Sequence, residues 1–201
     1  MEAQGRDEEM RSIDSIIKQL ESAPAIVIPL VRQARPQVLK RRPQPGKWSI
    51  HEHACHLAEV QPLFFERLDL MLKEEHPAIR SYDPGRDDPE DALLDIDLDD
   101  ALSRFERERK QLVERIGGLG AKDWERTARH DEYNSYSVFT MFRHLALHDL
   151  FHAYRIEELL LRRDWPSPIP EQLSGEPSGR ESFGDGKREL EGNDDVRNQG
   201  D

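Results

Sequence analysis

The stretch Ser137-Val138-Phe139-Thr140-Met141-Phe142-Arg143-His144-Leu145-Ala146-Leu147-His148-Asp149-Leu150-Phe151-His152 runs on to Arg163 without a proline or glycine. It predicts a helix from about Ser137 to Arg163 that ends before Trp165-Pro166. His144, His148 and His152 stand at i, i+4 and i+8. At about 100° per residue they advance only about 40° each, so they form one stripe. His148 and His152 make an H-x-x-x-H pair, whose imidazoles on adjacent turns can grip one metal ion. Neutral imidazole suits zinc, nickel, copper and iron. The competing reading is a solvated helix face, or pairing with carboxylates such as Asp149.

Three more helical segments lie upstream. The one from about Pro89 to Ile116 stops at Gly117-Gly118, a C-terminal signal. Another begins at Trp48-Ser49-Ile50-His51-Glu52, where Ser49 and Glu52 have the spacing of a capping box. It is expected to reach about Glu75, with a bend at Pro62. The first spans about 8–35, carries Ile13, Ile16, Ile17 and Leu20 at helical spacing, and is expected to break or kink at Pro24 and Pro29. No run shows convincing strand alternation. Four amphipathic helices in about 150 residues predict an all-α, four-helix bundle. The connection of about 20 residues before the last helix is long for a bundle, and such loops often carry function.

A catalytic zinc site needs a third protein ligand and an open position for water. The second segment offers His51, His53 and His56. Only His56 is followed at helical steps by apolar Leu57, Val60 and Phe64, which selects it as the third ligand. Two other patterns are decoys. His51-Glu52-His53-Ala54-Cys55 starts like a zinc-protease helix but has Cys55 where the second histidine belongs. Asp95, Asp97, Asp99 and Glu106 match calcium-loop positions, but Asp100 replaces the glycine of the sharp turn. Trp48, Trp124, Phe64 and Phe65 read as packing residues, and Cys55 as a small buried filler.

The chain has 201 residues, a formal net charge of −12 and a single cysteine. The acidic balance argues against a nucleic-acid binder, and one cysteine excludes an intrachain disulfide framework. No apolar run approaches the roughly 20 residues of a membrane span, and the N-terminus is polar, unlike a signal peptide. The expectation is a soluble, cytoplasmic protein. Residues 164–201 hold six of the 12 glycines and ten acidic against four basic side chains. They read as an acidic, disordered tail, and the first ten or so residues also read as loose. The folded domain is expected over 11–163.

Lys47-Trp48-Ser49-Ile50 with Glu52 and His56-Leu57-Ala58-Glu59 resembles the second-helix signature of the DinB-like, or YfiT-like, superfamily. His144-Leu145-Ala146-Leu147-His148-Asp149 with His152 and Ile156 is similar to its last-helix signature. The stretch His76-Pro77-Ala78-Ile79 and His130 occupy familiar places. The resemblance covers about residues 10–160. It implies a four-helix bundle, often a homodimer, with a divalent metal on His56, His148 and His152. Zinc or nickel leads, with iron or manganese as alternatives. Arg155 stands where the family often has Gln.

Around these ligands, Glu59 and His130 are candidate acid–base groups, while His144, Asp149 and Arg155 are candidates for supporting the ligands. Two chemistries follow: a metal-dependent hydrolase acting on a small molecule through activated water, or a thiol transferase that activates a low-molecular-weight thiol. The alternative is a non-catalytic metal-binding or stress-associated interaction protein.

Overall fold

A computed structural model describes residues 2–163 and 165, except residue 90, with side chains from residue 12 onward. The expected tail, 164–201, lies outside the described residues apart from Trp165. The elements are α1 (Glu2–Gln33), α2 (Pro36–Leu39), α3 (Ile50–Glu59), α4 (Gln61–Lys73), β1 (Ala78–Ile79), α5 (Pro84–Asp87), a 3-10 turn (Ala92–Leu94), α6 (Leu98–Gly117), α7 (Ala121–Trp124), β2 (Thr127–His130), β3 (Tyr136–Ser137) and α8 (Val138–Leu161). Helices α1, α3 with α4, α6 and α8 form the four-helix bundle. The longest interfaces are α1 with α8, α3 with α6 and α1 with α6.

Helix α1 starts at Glu2, ahead of the expected boundary, and runs through Pro24 and Pro29 instead of breaking there. Its buried residues, Ile13, Ile16, Leu20, Ala23, Val27 and Val31, recur every three or four positions. This continuous apolar stripe against α8 and α6 outweighs the two forfeited backbone bonds. The second segment is interrupted at Val60, two residues before Pro62. Pro62 has no N–H to offer the Ala58 carbonyl, and the Val60 N–H reaches both His56 and Ala58 carbonyls instead. The third segment starts at Leu98, not near Pro89. Asp91 has a left-handed backbone (φ 63°), the 3-10 turn follows, and Asp97 caps α6 by accepting the Asp100 N–H at 2.9 Å. The carboxylates of the calcium-loop decoy thus include a helix cap.

A small three-stranded sheet is the feature the sequence did not announce. β1 pairs in parallel with β2 (Ile79 opposite His130), and β2 pairs antiparallel with β3 (Ala128 opposite Tyr136). Strands of two and four residues are too short to display an alternation. β2 and β3 lie in the long connection before α8 and carry His130 and Tyr136, while β1 comes from the segment after α4.

The core has two apolar clusters. One is built around Leu20, Leu68, Leu112, Met141 and Phe142, the other around Val27, Leu57, Phe105 and Ile156. At the level between them along α6 and α8 lie Arg109 and Asp149. Trp165 closes the far end of α8: its indole N–H donates to the Leu159 carbonyl at 3.0 Å, and Arg41 and Arg162 lie over its ring. Among the described residues, no helix is long and apolar enough to cross a membrane.

Candidate metal centre

Helix α3 is fixed at its start by the capping box that its sequence encodes. The Ser49 hydroxyl accepts the Glu52 N–H at 3.2 Å, and the Glu52 carboxylate accepts the Ser49 N–H at 2.8 Å. Arg42 grips the same carboxylate through Nε and Nη2. Burial alone would raise the Glu52 pKa, but the bonds from Arg42 and Ser49 hold it below the usual carboxylate range. A rigid first turn sets where His53 and His56 emerge. On α8, Ser137 caps the helix by accepting the Thr140 N–H at 3.1 Å, and His148 and His152 follow on consecutive turns.

The two helices bring three ring nitrogens to one place. Nε2 of His148 lies 3.0 Å from Nε2 of His56 and 3.1 Å from Nε2 of His152. Among the described residues this trio is the one group of histidine, cysteine and acidic side chains gathered closely enough to hold an ion. Ligands about 2.0–2.1 Å from an ion stand about 3.3 Å apart in a tetrahedron and about 3.0 Å apart in an octahedron. The observed separations fit that range. The donor set also fits, because three neutral imidazoles present lone pairs to a borderline divalent cation. Burial holds two of them neutral: it pushes His56 down to about 3, with His148 and His53 adding to the effect, and it lowers His152 strongly. The three histidines expected as ligands are therefore brought together by the fold.

The other named residues fall into distinct places. His130 lines the same cavity with its imidazole buried. Its Nδ1 accepts the Glu132 N–H at 3.1 Å, and its ring packs on Tyr133 and Tyr136. Burial lowers its pKa, so it is held neutral. His144 is exposed at the cavity rim, 6.1 Å from the Tyr133 ring. Arg155 lines the cavity and pairs with Glu158 at 2.5 Å. Asp149 lies 3.9 Å from Nδ1 of His148, beyond a hydrogen bond, and its carboxylate is taken by Arg109. Glu59 is not brought to the cavity; it pairs with Arg104 on the α6 side. Its position three residues after His56 turns it away from the ligand face. Cys55 is fully buried and its thiol is pushed up to about 12 by burial, so it is a filler and not a nucleophile.

Three neighbours escaped the sequence reading. His53, one turn before His56, has its Nδ1 2.8 Å from Nδ1 of His152. Trp48, read as packing, lies over the site with its ring centroid 4.8 Å from that of His56 and 5.8 Å from that of His152. Arg109 sits in the apolar stripe Phe105, Leu112, Ile116 of α6, and a cation on such a stripe was the available signal. The cavity beside the triad has a volume of about 750 Å³. Trp48, Tyr82, Tyr133 and Tyr136 supply aromatic wall, and Arg67 and Arg155 supply positive charge.

Known proteins resemble this chain in sequence and in fold. The chain is 28% identical over 153 residues to a protein of Oceanobacillus iheyensis provisionally named a metal-dependent hydrolase, covering 76% of this chain and 88% of that one. Its fold matches YfiT from Bacillus subtilis, described as a probable metal-dependent hydrolase with an unusual four-helix bundle topology. That match has a TM-score of 0.66 at 23% identity and covers 73% of this chain and 85% of the other. Residues 19–156, which include all three converging histidines, match the family model of the DinB superfamily, and the chain belongs to that superfamily.

Proposed function

We propose that this protein is a metal-dependent hydrolase that holds one divalent ion on Nε2 of His56, His148 and His152 and acts on a small molecule seated in the adjoining cavity. The observation that carries this is the convergence of three imidazoles, two of them buried and His148 half-buried, beside a cavity wide enough for a small-molecule substrate. When bound, a divalent ion there supplies Lewis acidity and lowers the pKa of a bound water or thiol. The chain's own groups do the rest. Trp48 and Tyr82 wall the triad and exclude solvent from one side. With Nδ1 accepting from the Glu132 backbone, neutral His130 carries its proton on Nε2. It can therefore donate to a developing negative charge or to a leaving group. Arg155 and Arg67 give the cavity places where a substrate carboxylate would dock.

A thiol transferase would use the same three ligands, with a thiol replacing water as the activated group. We rank hydrolysis first, a reading supported by the names of the relatives. The test is metal analysis of the purified protein, followed by assay of an amide and ester panel, with and without low-molecular-weight thiols. About one ion per chain, with hydrolysis abolished by chelation and restored by metal, supports the proposal. A protein that retains no metal overturns it. Turnover only when thiol is present transfers the assignment to the transferase. Bound metal without any turnover favours a non-catalytic metal-binding protein.

A further inference from the structure

We propose that His53 is a positioning residue of the metal centre: its Nδ1 accepts the Nδ1–H of His152 and so holds that ring in the tautomer that presents Nε2 to the ion. This inference rests on the three-histidine assignment above.

The direction of the bond follows from proton counting. Nδ1 of His53 and Nδ1 of His152 are 2.8 Å apart, so one proton, and only one, lies between them. Nε2 of His152 faces the ligand group, 3.1 Å from Nε2 of His148. Giving its Nε2 lone pair to an ion forces the neutral ring to carry its proton on Nδ1. His53 is then the acceptor and keeps its own proton on Nε2. Its ring is 5% exposed and is held edge-on against Trp48 at 5.5 Å. It stands on the same rigid helix as His56, three residues earlier.

The three ligands are not equivalent in this respect. Nδ1 of His56 and Nδ1 of His148 are buried with no hydrogen-bond partner among the described residues. Asp149, the nearest acid to His148, is 3.9 Å away and engaged by Arg109. His152 alone of the three has its outer nitrogen bonded. An acceptor there fixes the ring's orientation and makes its metal-facing nitrogen more basic.

The experiment titrates metal-stripped full-length protein with zinc against a competing chelator. The wild type is compared with His53→Leu, which fills the space without an acceptor, and with His53→Asn, whose side-chain oxygen restores one. The expected result is about 10–100-fold weaker zinc binding in His53→Leu, with most of the loss recovered in His53→Asn. Nitrogen-15 NMR of zinc-loaded wild type gives a second readout that needs no variant to fold. The expected result is a proton on Nδ1 of His152, a bare Nδ1 on His53 and a coupling between the two nitrogens. A proton on Nδ1 of His53, a zinc-shifted His53 nitrogen, or unchanged affinity in His53→Leu overturns the inference while the three-histidine site stands. A wild type that binds no zinc or other divalent ion overturns both.

Discussion

Arg109 of α6 and Asp149 of α8 meet guanidinium to carboxylate in the middle of the bundle, each side chain 1% exposed. The contact is two-pronged, with Nη2 3.2 Å from the second carboxylate oxygen, and Gln61 accepts from the Arg109 Nε at 3.1 Å. Such a pair is costly to halve, because the survivor is an uncompensated buried charge. Arg109→Ala is expected to lower stability by about 3–5 kcal/mol. The double variant Arg109→Met with Asp149→Leu is expected to recover much of that loss. Urea unfolding of the three proteins checks this, and equal losses in single and double variants would count against a coupled pair.

Removing one ligand separates binding from folding. His148→Ala leaves two imidazoles, too few to hold a divalent ion firmly, and metal analysis is expected to find the variant largely empty. Its helical circular dichroism is expected to match wild type, because the two apolar clusters supply the fold. Tight binding in this variant would move the site elsewhere.

The buried histidines make the metal-free protein acid-sensitive. His56 is pushed down to about 3 and His53 to about 4, against about 6.5 in an unfolded chain. Below about pH 6.5 the unfolded chain takes up protons that the folded one refuses, so stability falls as pH falls. It is expected to be level above about pH 7 and to drop by at least about 2 kcal/mol by pH 5, since each such histidine contributes about 1.4 kcal/mol per pH unit there. Metal affinity is expected to collapse over the same window, because protons and metal compete for the same lone pairs. Denaturant melts of stripped protein at pH 7.5 and 5 provide the check.

The placements of His130 and Glu59 give opposite expectations. His130→Ala is expected to lower kcat by about 100-fold or more if it donates a proton in the reaction. Glu59→Gln is expected to leave kcat within about twofold, because its carboxylate is paired with Arg104 outside the cavity. Steady-state assays on whichever substrate the panel yields decide both.

Trp165 is a small structural test at the edge of the described chain. Trp165→Ala loses the bond to the Leu159 carbonyl and the stacking of Arg41 and Arg162. A loss of about 1–2 kcal/mol is expected, visible as a lowered melting temperature.

The parts of this molecule legible in its sequence are those written in local spacing. His148 and His152 share a stripe because four residues make just over one helical turn, and Ser49 with Glu52 encodes a cap that forms as spelled. His56 was legible through its apolar flank and through the resemblance of its helix to a known signature. What stayed hidden depends on partners far along the chain. His53 acquires meaning only when α8 sets His152 against it, 99 residues later. Trp48 looks like any packing residue until three imidazoles lie beneath it. The prolines of α1 signalled a break because local rules could not count the stripe that α8 and α6 bury. The strands were missed because two to four residues carry no period of their own, and β1 is paired with a distant segment.

The separation of His56 and His148 along the chain has a further result. An ion shared by α3 and α8 would be a cross-link closing a loop of 92 residues, in a chain whose lone cysteine can make no internal disulfide. A tie across a loop of that length removes unfolded-state freedom equivalent to about 4–5 kcal/mol in the chain-entropy picture. Loaded protein would therefore resist proteases and slow global opening in a way the stripped chain cannot. The same histidines proposed to prepare a reaction would also serve as the reversible clasp of the bundle.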